Sequence, residues 1–196
     1  MEIRSSRFVT SMAEYRPPET ALGQIAMCGR SNVGKSSLIN CLCGRARLAK
    51  VGASPGKTRL INFFMVNEEE NPFFLVDLPG YGFAKADKRE IARWGTMMEG
   101  YFASCDTLKG AVHAVDIRHE PTADDLKMNA FLRARGIPFV VAANKADKIS
   151  RGSRMKYLAA IMRALQVQPW QVVPFSSEDG TGREELLSHL EKMLFE

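Results

Sequence analysis

Gly29-Arg30-Ser31-Asn32-Val33-Gly34-Lys35-Ser36, followed by Ser37, sets two glycines, a lysine and a hydroxyl at the spacing G-x-x-x-x-G-K-[ST]. The chemistry of that set is phosphate binding. Glycines let the backbone wrap closely enough for successive N–H groups to point at phosphate oxygens. A helix N-terminus behind the loop adds partial positive charge to the same spot. Lys35 would reach the β- and γ-phosphates, and the Ser36 hydroxyl would ligate Mg2+.

Four further stretches carry compatible chemistry. Asp77-Leu78-Pro79-Gly80 follows an apolar run. A carboxylate at Asp77 can hold the shell of a magnesium ion, and the Gly80 N–H can approach a γ-phosphate. Asn144-Lys145-Ala146-Asp147 follows another apolar run. The Asp147 carboxylate can accept from a guanine N1–H and exocyclic amine, and adenine offers neither match. Lys145 can lie along the base plane, and Asn144 can tie this loop to the phosphate loop. Ser176-Ser177 can offer backbone N–H groups to the guanine carbonyl. Thr58, within Pro55-Gly56-Lys57-Thr58, is the expected loop hydroxyl that joins Mg2+ when a γ-phosphate is present, with Gly56 and Lys57 beside it on the nucleotide. The expected catalytic set is Lys35, Thr58 and Gly80. The expected metal set is Ser36, Thr58 and Asp77.

The elements that must position these residues are legible from periodicity. Ile25-Ala26-Met27-Cys28 is a buried-strand run, and Ser37–Cys43 reads as a helix with Gly44 as its stop. Leu60–Val66 and Phe73–Val76, joined by a glutamate-rich turn, predict a hairpin. Asp87 and Glu90 predict a capping box for a helix carrying Ile91, Trp94, Met98, Tyr101 and Phe102. Gly110–Val115, Phe139–Ala143 and Val172–Phe175 predict strands. Helices are expected from Thr122 to about Arg135, around Met155–Leu165, and after a Thr181–Glu184 cap. Alternation of strands and helices, with several strands wholly apolar, predicts an α/β fold: a mostly parallel sheet, helices on both faces and one antiparallel hairpin strand. The stretches that begin at Gly29, Asp77, Asn144 and Ser176 fall just after strands, where open α/β sheets bind ligands. Residues 1–20 read as a lead-in with a short extended piece at Phe8-Val9-Thr10, and 21–196 as one domain. Leu48–Arg59 reads as a long loop.

The 196 residues carry a net charge of +5, unevenly spread. Thr20–Asn67 holds seven basic residues and no acid, partly explained by a phosphate ligand. Lys148–Arg163 holds five and no acid, so Arg151, Arg154 and Lys156 form a candidate nucleic-acid surface. Lys85, Lys88, Arg89 and Arg93 are a second candidate. No apolar run is long enough to span a membrane, and Met1–Arg7 lacks the apolar segment expected of a secretory signal. Four cysteines without a C-x-x-C pair are expected as free thiols in a reducing compartment, which points to the cytoplasm. His113 is expected as a satisfied core histidine, Asp116 as the organiser of a strand end, and Trp94 as core.

Together these pieces resemble the G domain of translation-factor-type small GTPases, the Ras-like P-loop NTPases. The runs Asp77-Leu78-Pro79-Gly80-Tyr81-Gly82-Phe83-Ala84 and Asp116-Ile117-Arg118-His119, with the phosphate loop, are similar to the EngB (YihA/YsxC) family of bacterial ribosome-assembly GTPases. The resemblance implies a GTP/GDP switch, monomeric, acting on the large ribosomal subunit precursor and its rRNA, with no DNA or membrane partner and a link to cell division and septation. Tyr81 stands where many GTPases have a glutamine that orients the attacking water, so intrinsic hydrolysis is expected to be slow and ribosome-stimulated. Asn32 resembles the asparagine with which potassium-stimulated GTPases coordinate K+. Two other readings remain open: a nucleotide-gated binding module without useful turnover, and a G domain related to tRNA-modification GTPases or ion transporters. Against the latter, no modifying or membrane-spanning part is seen.

Overall fold

In a computed structural model, residues 1–50, 60–82 and 88–196 are described, with side chains from Ala92 onward in the last segment. Seven strands form one sheet in the order β1-β3-β4-β2-β5-β6-β7. They are β1 (Ser6–Met12), β2 (Gln24–Gly29), β3 (Ile61–Val66), β4 (Phe73–Asp77), β5 (Leu108–Asp116), β6 (Phe139–Asn144) and β7 (Val172–Pro174). The helices are α1 (Lys35–Leu42), α2 (Lys88–Ser104), α3 (Ala123–Ala134), α4 (Arg154–Leu165) and α5 (Arg183–Phe195). β2 pairs in parallel with β4 and β5, and β5, β6 and β7 continue the parallel run. β3 alone runs against its neighbours, forming the expected hairpin with β4.

The wholly apolar strands are explained by what covers them. Along β2, Ile25 and Met27 face one layer while Ala26 and Cys28 face the other. The period of two feeds both faces, so neither can be polar. The first layer packs Leu38, Ile39 and Leu42 of α1 against Leu186, Leu187, Leu190 and Leu194 of α5. The second packs Met97, Met98, Tyr101 and Phe102 of α2 with Met128 and Leu132 of α3. Leu158, Ile161 and Leu165 of α4 cover β6 and β7 on the same side of the sheet as Val141 and Ala143. Leu38, fully buried, is a position where truncation to alanine costs about 2–5 kcal/mol.

The extended piece expected at Phe8–Thr10 is longer, a seven-residue edge strand paired along β3. The Asp87/Glu90 capping box lies outside the described residues. Of the Leu48–Arg59 loop, only residues 48–50 are described. Its start is pinned, because the buried Asn40 side chain donates to the Ala49 carbonyl at 2.9 Å and accepts from the Ala49 N–H at 2.7 Å. α3 begins beside Thr122 as expected, and a capping box joins Thr122 and Asp125. The cap expected at Thr181–Glu184 is not a side-chain one: Gly182 is the cap of α5, at φ 77°, with no side-chain bond. That helix instead gains Glu184 and Glu185 in its first turn, which complement the helix dipole. Cys28, Cys43 and Cys105 are buried free thiols and Cys41 is half-buried. Burial pushes the Cys28 thiol up to about 12, so it is inert.

Candidate nucleotide site

The ends of β2, β4, β6 and β7 bring the expected residues to one edge of the sheet. Gly29 ends β2, and Arg30–Gly34 turn into α1. Asn32 sits at φ 64° and Gly34 at φ 97°. A side chain at Gly34 would be strained by that φ, and its Cβ would lie 2.5 Å from Asn144 Nδ2. Lys35 and Ser36 open α1, with Ser37 beside them in its first turn. Lys35 is buried, and its ammonium contacts the buried Asp77 carboxylate at the end of β4.

The segment after Asp77 is stitched onto the phosphate loop. Ser31 N–H donates to the Tyr81 carbonyl at 2.8 Å and Tyr81 N–H to the Gly29 carbonyl at 3.3 Å. Gly80 lies so close that a Cβ there would stand 3.0 Å from Ser31 N. Trp94, expected as core, is half-buried and also makes a polar contact, its indole N–H donating to the Pro79 carbonyl at 3.0 Å.

The Asn144–Asp147 stretch is organised by hydrogen bonds across the site. Asn144 Nδ2 donates to the Val33 carbonyl at 2.9 Å, the tie expected from sequence, and its Oδ1 accepts from Lys145 N–H at 2.9 Å. Lys145 adopts φ 66°, and its ammonium spans the Asn32 carbonyl and Asp116 Oδ2, each at 3.0 Å. Asp147 Oδ1 accepts from the Ser176 hydroxyl at 3.0 Å, and its Oδ2 pairs with Lys148 at 2.9 Å. Burial would raise the Asp147 carboxyl, but Lys148 and Ser176 outweigh it and hold it below its ordinary value. It is thus a carboxylate at neutral pH, an acceptor only.

One expectation changes. The Ser176 N–H is donated to the Thr181 carbonyl at 3.0 Å, so it cannot serve a guanine carbonyl without leaving that bond. Ser176 instead works through its hydroxyl, which aims Asp147. That leaves Ser177 as the expected backbone donor of the pair. Gly56, Lys57 and Thr58 lie outside the described residues.

Two features were not read from the sequence. Asp116, at the end of β5, does organise a strand end, but it also holds Lys145 and accepts from Arg118 Nε at 2.9 Å and Nη2 at 2.8 Å. Burial would raise its carboxyl, yet Arg118 and Lys145 hold it well below the usual carboxylate range. Tyr81 is buried, and its hydroxyl lies 2.7 Å from both His113 Nε2 and Asp125 Oδ1. Burial foremost, with Asp125 adding to it, pushes that phenol far up, and burial lowers His113 to about 4 against the opposing pull of Asp125. His113 is satisfied at Nε2 but not at Nδ1 among the described residues.

Fold and site together define a P-loop GTPase domain. The model of the family described as "50S ribosome-binding GTPase" matches residues 24–145. A "probable GTP-binding protein EngB" of Desulfitobacterium hafniense is 47% identical over 98% of this chain and 95% of its own length. Its counterpart from Exiguobacterium sibiricum is 49% identical over 93% and 94%. Among solved structures, a probable GTP-binding protein engB superposes with a TM-score of 0.70 at 25% identity, covering 88% of this chain and 98% of that one. A point variant of Aquifex aeolicus Era bound to GDP·AlF4− gives 0.73 at 25% identity, over 89% of this chain and 57% of that one. The chain belongs to the 50S ribosome-binding GTPase family, in its EngB group. Among the described residues no helix is long and apolar enough to cross a membrane.

Proposed function

We propose that the chain is a GTP-operated switch with slow intrinsic hydrolysis, acting in the assembly of the large ribosomal subunit in the cytoplasm. The observation that carries the reading is the Asn144 side chain on the Val33 carbonyl, which fixes a base-reading loop against a phosphate-reading loop. Asp147 reads the guanine edge, Lys145 lies along its plane, Ser177 serves its carbonyl, and Arg30–Ser37 cradle the phosphates. Rejecting adenine follows from leaving the Asp147 carboxylate unpaired.

The donor set suits magnesium. Ser36 and Asp77 offer hard oxygens beside the phosphate-binding lysine, with Thr58 the expected third, and the remaining ligands of such an ion come from phosphates and water. Bound there, the ion neutralises charge developing on the phosphates. Lys35, now against Asp77, would turn part of its donor capacity to the β- and γ-phosphates. The Gly80 N–H would approach the γ-phosphate.

Slow turnover is supported by where Tyr81 points. Its side chain is buried against β5 and α3, away from the phosphate loop, so it orients no water. The same observation favours the second reading, a nucleotide-gated binding module with no useful turnover. Asn32, exposed at the phosphate loop, is the residue through which K+ would stimulate hydrolysis. The exposed Arg151 and Lys156, with exposed Met155 between Arg154 and Lys156, supply a basic surface for rRNA.

Co-sedimentation with large ribosomal subunits under GTP, GDP and a non-hydrolysable analogue, across salt concentrations, tests the reading. Nucleotide-dependent binding that weakens steeply with salt is expected, and nucleotide-independent binding would refute it. Single-turnover rates with and without subunits, in KCl and NaCl, separate a GTPase from a module and measure the potassium effect.

A further inference from the structure

Tyr81 is held from two directions. Its backbone is bonded to the phosphate loop through Ser31 and Gly29, while its side chain runs the opposite way into the layer beneath α3. There its hydroxyl donates to Asp125 Oδ1 at 2.7 Å. The other oxygen, Oδ2, accepts from the Thr122 N–H at 2.8 Å and the Thr122 hydroxyl at 2.7 Å, closing the cap of α3. Because a carboxylate only accepts, the direction of the chain is fixed: His113 Nε2–H donates to the Tyr81 oxygen, and Tyr81 O–H to Asp125. That tautomer makes Nδ1 the bare nitrogen, matching the one His113 atom without a partner among the described residues.

We infer that Tyr81 is a positioning residue, its hydroxyl the joint that links Gly80 to the first turn of α3. The inference rests on the guanine-nucleotide reading of the site. Gly80 adjoins Tyr81 and packs against Ser31, so a nucleotide-dependent movement of Gly80 must carry Tyr81 with it. Asp125 and His113 are both buried, and a small shift of the phenol would strand polar groups out of water's reach. The joint therefore holds or lets go in one step, and α3 reports which. Exposed Leu126 and Lys127, in the first turns of α3, place that report on the surface.

The test is hydrogen exchange on the full chain with GDP and with a non-hydrolysable GTP analogue, in wild type and Tyr81→Phe. Wild type should show a several-fold difference between the two nucleotides at the amides of residues 122–126. Tyr81→Phe should erase that difference and weaken the GTP analogue about fivefold while leaving GDP within twofold. Thr122→Ala, which loosens the cap but keeps the Tyr81–Asp125 bond, should raise exchange in both states and preserve the difference. Should Tyr81→Phe fail to fold, Asp125→Ala, which leaves the Tyr81 hydroxyl without its acceptor, must give the same loss. Equal exchange in the two nucleotide states of wild type, or a Tyr81→Phe protein that keeps the difference, overturns the proposal. Wild type that fails to bind GDP at all would overturn the nucleotide reading along with it, and the GDP titration separates that outcome from the others.

Discussion

Replacing Asp116 by asparagine should weaken guanine nucleotide binding although Asp116 itself does not meet the nucleotide. The change is isosteric and removes one charge at the end of β5. Asp116 has three contacts from charged side chains: two from Arg118 and one from Lys145. The Arg118 guanidinium is 38% exposed, so its pair is screened by solvent and counts little. The Lys145 contact is different, because the Asp116 side chain is 2% exposed and that of Lys145 27%. A hydrogen bond to a charged group in such surroundings contributes about 1.5–3 kcal/mol. Part of that sum survives in Asp116→Asn through a neutral hydrogen bond, leaving a loss of about 1–2 kcal/mol in holding Lys145 over the base. That predicts GDP binding roughly five- to thirtyfold weaker. Titration with a fluorescent GDP analogue reads it directly. Arg118→Ala, which removes the exposed pair alone, should change the affinity less than threefold. If Asp116→Asn binds GDP within twofold of wild type, or Arg118→Ala weakens it as much, Asp116 does not position Lys145.

Asp147→Asn should lower guanine nucleotide affinity at least a hundredfold, about 3 kcal/mol or more for two hydrogen bonds to a charged acceptor, and gain xanthine nucleotide binding. A competition titration with GDP and XDP checks both halves. Ser36→Ala should slow GTP hydrolysis more than tenfold while GDP binding persists, and chelating Mg2+ in wild type should reproduce the effect, as phosphate-release kinetics will show. His113 gives a pH dependence. Its folded value of about 4 lies below the ordinary 6.5, so the unfolded chain takes up the proton first as pH falls. The stability it contributes is complete above pH 6.5 and is lost as pH drops towards 4, by up to about 3 kcal/mol. Nitrogen NMR should find the ring neutral and protonated on Nε2 at pH 5.5, and a charged ring there would refute the network.

What the sequence disclosed and what it hid divide along physical lines. The phosphate loop, Asp77–Gly80 and Asn144–Asp147 are each a few consecutive residues whose spacing is itself the chemistry, so they could be read without a fold. That the sheet is mostly parallel and covered by helices on both sides followed from strands apolar on both faces. The start of α3 at Thr122 was legible, because a helix start is local, but the bond between Asp125 and Tyr81 joins positions 44 residues apart. Asp116 and Lys145, 29 apart, meet only because β5 and β6 are neighbours. The T-x-x-E pattern at α5 misled for a similar reason. Gly182 packs directly against the Pro174 carbonyl, and that approach requires a residue without a side chain as the cap. Nothing local announces either contact.

The bonds from Asn144 to Val33 and from Lys145 to Asn32 have a kinetic corollary. Two loops that must grip opposite ends of one ligand are already cross-linked by the folded chain, so capture sacrifices little additional backbone freedom. Such preorganisation lengthens residence time more than it speeds arrival. Spent nucleotide should therefore linger, and the pace of each cycle would be set by whatever prises those loops apart.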